Sequence, residues 1–169
     1  MLIPIFADAP HDVVFIERAH HLRRHAGEIG FPGGVVDEAD EGDHERAALR
    51  EVYEEIGIPP DRIAVIGRLQ PVRQRANAFT VSPFIGVVRT GDPLVIDANE
   101  VAATHRVPLA ALVAPGAVRP GIETIGERRI ETFHFDYGPL HVWGLTGRIV
   151  DLFVERYYAE RSPLRAMAM

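Results

Sequence analysis

At 169 residues, 47% hydrophobic and 25% charged, the chain has the size and balance of one ordinary folded domain, residues 1–169, and not of a disordered or membrane protein. Its net charge of -6 argues against a general nucleic-acid binder, which needs surplus cations, but admits a small anionic substrate held by a metal and local arginines. The absence of cysteine excludes disulfides, a thiolate nucleophile and a cysteine zinc site. No stretch approaches the ~20 apolar residues of a membrane span, and the opening MLIPIFADAP lacks the basic start of a signal peptide. The expectation is a cytoplasmic enzyme with no membrane or nucleic-acid partner.

Residues 13 to 17, Val-Val-Phe-Ile-Glu, predict a buried strand from β-branched and aromatic content. A basic, histidine-rich turn follows, with Arg18, His20, His21, Arg23 and His25, and leads into Phe31-Pro32-Gly33-Gly34. Such a loop puts a rigid residue before two that let bare backbone approach a ligand. The turn's cations would stand where substrate anions arrive. Two of its three histidines could converge on zinc, but no further ligand cluster supports that reading.

The next element is a helix ending in Arg50-Glu51-Val52-Tyr53-Glu54-Glu55-Ile56-Gly57-Ile58. Asp40 or Asp43 can cap its start, and Gly57 with Pro59-Pro60 stops it. At about 100° per residue, Glu51, Glu54 and Glu55 share one arc, while Leu49, Val52, Tyr53 and Ile56 share the opposite, buried one. Like charges at these spacings repel by a few tenths of a kcal/mol per pair. A divalent cation reverses that sign.

Residues 62 to 69 predict a strand, 70 to 79 a polar loop carrying Arg73 and Arg75, and 80 to 88 another strand. Residues 99 to 107 alternate as a strand, and Pro108 opens a short helix to Val113. Glu100 is either a metal ligand or general base, or the surface start of an edge strand. Residues 116 to 142 predict a β-hairpin region with a Gly138-Pro139 turn. Ile149, Val150, Leu152, Phe153 and Tyr157 keep helical spacing in a last helix, and the tail from Ser162 reads as frayed.

The stretch from Gly34 to Ile58 resembles the Nudix box: Gly, five residues, Glu, seven residues, then Arg-Glu-U-x-Glu-Glu-x-Gly-U with U aliphatic. Arg50, Glu51, Val52, Glu54, Glu55, Gly57 and Ile58 match its second half. The first half is two residues longer than the pattern, so its isolated Glu has no unique equivalent. Counting from Gly34 gives Asp40, counting back from Arg50 gives Gly42, and Glu41 lies between. Upstream, Arg18, Leu22, Arg23, His25, Gly27, Glu28 and Phe31-Pro32-Gly33-Gly34 resemble the extended motif of the coenzyme A diphosphatase subgroup. Asp37 and Asp40, a Val-x-Pro-x-x-Gly run, Asn99-Glu100-Val101 and the segment around Trp143 fit the same subgroup.

The resemblance implies an α/β (α+β) fold, a Nudix-type α/β/α sandwich with a mixed sheet. Oxygen ligands in this number select Mg²⁺ or Mn²⁺. Glu51, Glu54 and Glu55 are the expected metal cluster, with the Gly34 carbonyl as a further ligand, Arg50 bracing a glutamate and Glu100 as candidate base. Arg18, Arg23, His25, Gly33, Gly34, Arg73 and Arg75 are candidate substrate contacts. The implied reaction is hydrolysis of the diphosphate of coenzyme A or acyl-CoA to 3′,5′-ADP and 4′-phosphopantetheine. The alternatives are another nucleoside diphosphate, such as ADP-ribose or a dinucleotide, and a catalytically silent nucleotide-sensing module. A homodimer is left open.

Overall fold

Apolar residues from separated stretches meet in one mixed sheet, seen in a computed structural model that describes residues 1–73, 79–89 and 91–161. The backbone groups into two compact units, Met1–Leu109 and Ala110–Met169. The first unit contains β1 (Leu2–Phe6), β2 (Asp12–Arg18), β3 (Ile29–Gly30), α1 (His44–Ile56) and β4 (Ile63–Arg68). It continues with β5 (Val72–Arg73), β6 (Thr80–Val81), β7 (Phe84–Val88) and β8 (Val101–Pro108), after which the short α2 (Leu109–Leu112) crosses into the second unit.

β2 is the hub of the sheet. It runs antiparallel to β8 along its whole length and antiparallel to β1 and β3 at successive registers, Val13 with Ile5 and Ile16 with Gly30. β1 pairs in parallel with β7, and β7 pairs antiparallel with β4. The predicted strand at residues 80 to 88 is interrupted at Ser82-Pro83, because proline cannot donate to a ladder. β5 and β6 instead form a separate two-stranded ribbon.

The strand β1 has no counterpart among the sequence-based expectations. Pro4 within a short apolar run disguised it, yet its residues pair with β7 from Leu2↔Phe84 to Phe6↔Val88. Leu2, Phe6, Val14, Ile16, Phe84 and Val88 face Ala48, Val52 and Ile56 of α1 in one buried cluster. Burying each larger side chain contributes about 1.5–3 kcal/mol, so this face holds α1 against the sheet.

The second unit is an antiparallel meander followed by a helix: β9 (Val118–Ile125), β10 (Arg128–Tyr137), β11 (Leu140–Val142) and α3 (Gly144–Arg161). Two-residue turns at Gly126-Glu127 and Gly138-Pro139 join the strands, Gly126 and Gly138 both having positive φ. Thr132 Oγ1 accepts from Gly144 N–H at 2.8 Å, tying the start of α3 to β10. The expected mixed α+β architecture with a mixed sheet is the one observed. Among the described residues, no helix is long and apolar enough to cross a membrane.

Candidate active site

Asp43 caps α1, its Oδ1 accepting from the backbone N–H groups of Glu45 (2.8 Å) and Arg46 (3.2 Å). Gly57, at φ 76°, ends the helix in the left-handed conformation that favours glycine. Between these stops the buried stripe is Ala47, Ala48, Val52, Glu55 and Ile56. This corrects the arc expected from sequence. At about 100° per residue, the apolar residues of that stripe centre between Ala48 and Val52, with Glu55 roughly 40° to one side and Tyr53 roughly 120° to the other. Glu55 is therefore turned inward at 1% exposure, Glu51 sits at the edge of the stripe, and Glu54 is exposed. Tyr53, expected inside, is 55% exposed.

A charge in such a place needs partners, and the glycine loop supplies them. Phe31 stacks on Phe15 of β2 with ring centroids 4.5 Å apart, and Pro32 C=O accepts from Leu2 N–H at 2.9 Å. These two anchors lay Gly33 and Gly34 across α1. Gly33 N–H donates to Glu55 Oε2 at 2.9 Å. A Cβ on Gly33 would stand 2.4 Å from Met1 Cα, and one on Gly34 2.4 Å from the Glu51 carboxylate. Only residues without side chains fit between the helix and the start of β1.

Arg50 collects the outer carboxylates. Its Nη1 donates to Glu51 Oε1 and Glu54 Oε2, both at 2.8 Å, and its Nη2 to Val35 C=O at 3.1 Å. Its Nε and Nη2 also reach Asp40 Oδ1 (3.1 Å) and Oδ2 (2.9 Å), a two-point clamp. Asp40 is buried at 1% exposure and closes a capping box with Asp37 around the single helical turn Glu38–Asp40. Of the three residues among which counting could not decide, Asp40 is thus the one that meets the box arginine. Glu41 is exposed and engages Arg46, and Gly42 has no side chain. The sequence held no sharper signal, because only the fold brings Asp40 to Arg50, ten positions further on.

The electrostatics follow. Burial pushes the Glu55 carboxyl up to about 8, with the charges of Glu51 and Glu100 adding to the effect and Gly33 N–H and Arg18 opposing it. Glu51 is also raised, chiefly by burial. The Arg50 hydrogen bonds hold the Asp40 carboxyl down at about 2, and Asp40 in turn raises Arg50. Glu100, exposed just before β8, is brought within electrostatic reach of both Glu51 and Glu55. Its backbone C=O accepts from Ala19 N–H at 2.9 Å.

Arg18 ends β2 at a bulge and places Nη1 3.9 Å from Glu55 Oε1. Arg23 is exposed in the turn beyond it, and His25 pairs through Nδ1 with Glu28 at 2.9 Å. His20 pairs with Glu17 at 3.0 Å, so the two histidines engage different carboxylates. Arg73 lies exposed on the β5 ribbon, and Arg75 falls outside the described residues. A groove of about 520 Å³ against Leu49, Arg50, Tyr53 and Pro60 has none of the three glutamates in its lining.

Glu51, Glu54, Glu55 and the Gly34 carbonyl offer only oxygen donors, Glu51 and Glu55 carry raised pKa values, and Arg18 reaches Glu55 only at 3.9 Å. A hard divalent cation fits that set, since it repays the cost of holding such charges together.

Three comparisons place this arrangement. A family model described as the NUDIX domain matches residues 2–127. The uncharacterized Nudix hydrolase NudL of Escherichia coli (strain K12 / DH10B) is 36% identical over 151 residues, covering 89% of this chain and 77% of that protein. Its namesake from Salmonella newport (strain SL254) matches to the same extent. Among solved structures, the MutT protein from Methanosarcina mazei Go1 superposes with a TM-score of 0.52 at 17% identity, over 68% of this chain and 79% of that one. A C. elegans Ap4A hydrolase gives 0.51 at 18% identity, over 62% and 75%. These two likenesses establish a shared Nudix fold.

The family match and the relatives go further: the chain belongs to the Nudix family. It is a hydrolase acting on pyrophosphate bonds of nucleoside diphosphate derivatives.

Proposed function

We propose that the chain hydrolyses the diphosphate of coenzyme A or its acyl derivatives, releasing 3′,5′-ADP and a 4′-phosphopantetheine product. The observation that carries this reading is the position of Arg18. It belongs to the motif shared with coenzyme A diphosphatases and stands 3.9 Å from Glu55, beside the carboxylate cluster.

Glu51, Glu54 and Glu55, with the Gly34 carbonyl, would hold Mg²⁺ or Mn²⁺. When bound, such a cation neutralises charge on the diphosphate oxygens and lowers the pKa of a water. The chain's own residues do the rest. Arg50 holds Glu51 and Glu54 in one geometry and is itself fixed by Asp40. Gly33 and Gly34 let the substrate's phosphates come close to backbone. Arg18, Arg23 and His25 supply the positive charge that the 3′-phosphate requires, with Arg73 and Arg75 as further candidate contacts. Glu100 takes the proton of the attacking water as the bridging P–O bond breaks, and two monophosphates leave.

Incubating the purified protein with coenzyme A and Mg²⁺ and identifying the products by mass tests this directly. The expected products are 3′,5′-ADP and 4′-phosphopantetheine, formed faster than ADP-ribose or a dinucleotide is cut. Preference for either of those overturns the substrate assignment and leaves the hydrolase class intact.

A further inference from the structure

The three-stranded sheet of the second unit brings together a different set of ligands. Glu123 of β9, His134 of β10 and His141 of β11 share one face. The register shows it: Arg119 lies opposite His134, Ile130 opposite Glu123, and Asp136 opposite His141. Residues opposite one another point the same way, and those two apart on a strand share a face. Glu123 Oε1 is 3.0 Å from His141 Nε2 and 3.5 Å from His134 Nδ1, and the three ligand atoms lie within 4.8 Å of one another.

Tetrahedral donors bonded at ~2.0–2.1 Å stand roughly 3.3 Å apart. The two Glu123 contacts bracket that spacing. A second feature points the same way. The other nitrogen of His141, Nδ1, pairs with Asp136 Oδ1, and Arg119 donates to the same carboxylate. A carboxylate behind an imidazole fixes its tautomer and turns Nε2, here beside Glu123, toward the other ligands, as it does around ligating histidines. Room is also provided. His134 is buried with its ring over Gly121, where a Cβ would come 2.6 Å from the imidazole. On the open side His141 is 46% exposed, giving access to water.

We propose that Glu123, His134 and His141 form a zinc-type site, completed by water and stapling β9, β10 and β11 together. Two imidazoles and one carboxylate suit Zn²⁺, whereas the all-oxygen set on α1 suits Mg²⁺. The family match ends at residue 127, so both histidines lie beyond it and the site is a property of this chain's second unit.

The test uses the whole protein, stripped with chelator and kept in excess Mg²⁺ to occupy the α1 carboxylates. Titration with ZnCl₂ should show one equivalent bound and a rise in Tm. Glu123→Gln and His141→Ala, both at accessible positions, should weaken zinc at least 100-fold and abolish the Tm shift, while Glu54→Gln leaves both unchanged. Asp136→Asn should cost 10- to 100-fold, the range for a residue that only orients a ligand. Absence of stoichiometric zinc binding, or equal binding in His141→Ala, overturns the proposal and leaves the cluster a hydrogen-bonded network.

Discussion

Arg50 and Asp40 show how a single pair sets the geometry of the carboxylates around it. The Asp40 carboxyl, held near 2 against an ordinary 3.8, favours the folded state whenever it is ionised. Its contribution is complete above about pH 4 and is lost as pH falls through about 2. Asp40→Asn should therefore lower Tm at neutral pH and flatten the acid limb of a Tm-against-pH curve between those values. An unchanged acid limb would remove the pair from the stability of the site. Glu54 differs, because it is exposed and its one described partner is Arg50, an i,i+4 contact worth ~0.3–0.5 kcal/mol. Glu54→Gln should cut kcat by orders of magnitude and change stability by less than about 0.5 kcal/mol, read from initial rates and urea unfolding. A variant with normal kcat would exclude Glu54 from catalysis.

At the scale of elements, α1 is both the floor of the site and part of the core. Ile56 is fully buried between the sheet and the Gly57 stop. Ile56→Ala should cost about 2–5 kcal/mol in urea with an unchanged m-value. A cost below 1 kcal/mol would mean that α1 does not depend on its packing against the sheet. The helix, its cap and its stop were legible because capping chemistry and 3.6-residue periodicity are local. Its rotation was not. Hydropathy cannot reveal that a glutamate lies within an apolar stripe, since the Gly33 N–H that partners Glu55 comes from 22 residues away. Non-local pairing also hid β1, whose partner β7 lies some eighty residues on. Asp40 stayed ambiguous for a related reason: only the folded turn Glu38–Asp40 decides which acid of the lengthened loop meets Arg50.

At the scale of the whole chain, family membership follows from a match over residues 2–127, while the proposed substrate is argued from the turn at residues 18 to 28. Arg23→Ala should reduce kcat/KM for coenzyme A more than for a dinucleotide lacking the 3′-phosphate. Equal losses would remove Arg23 from recognition. Beneath every step lies the claim that α1 gathers acidic side chains because a dication binds there. Calorimetric titration of Mg²⁺ into the wild-type protein and into Glu55→Gln tests it most directly. Saturable binding in the first and its loss in the second is the predicted result; equal Mg²⁺ binding by both proteins, or by neither, would contradict it.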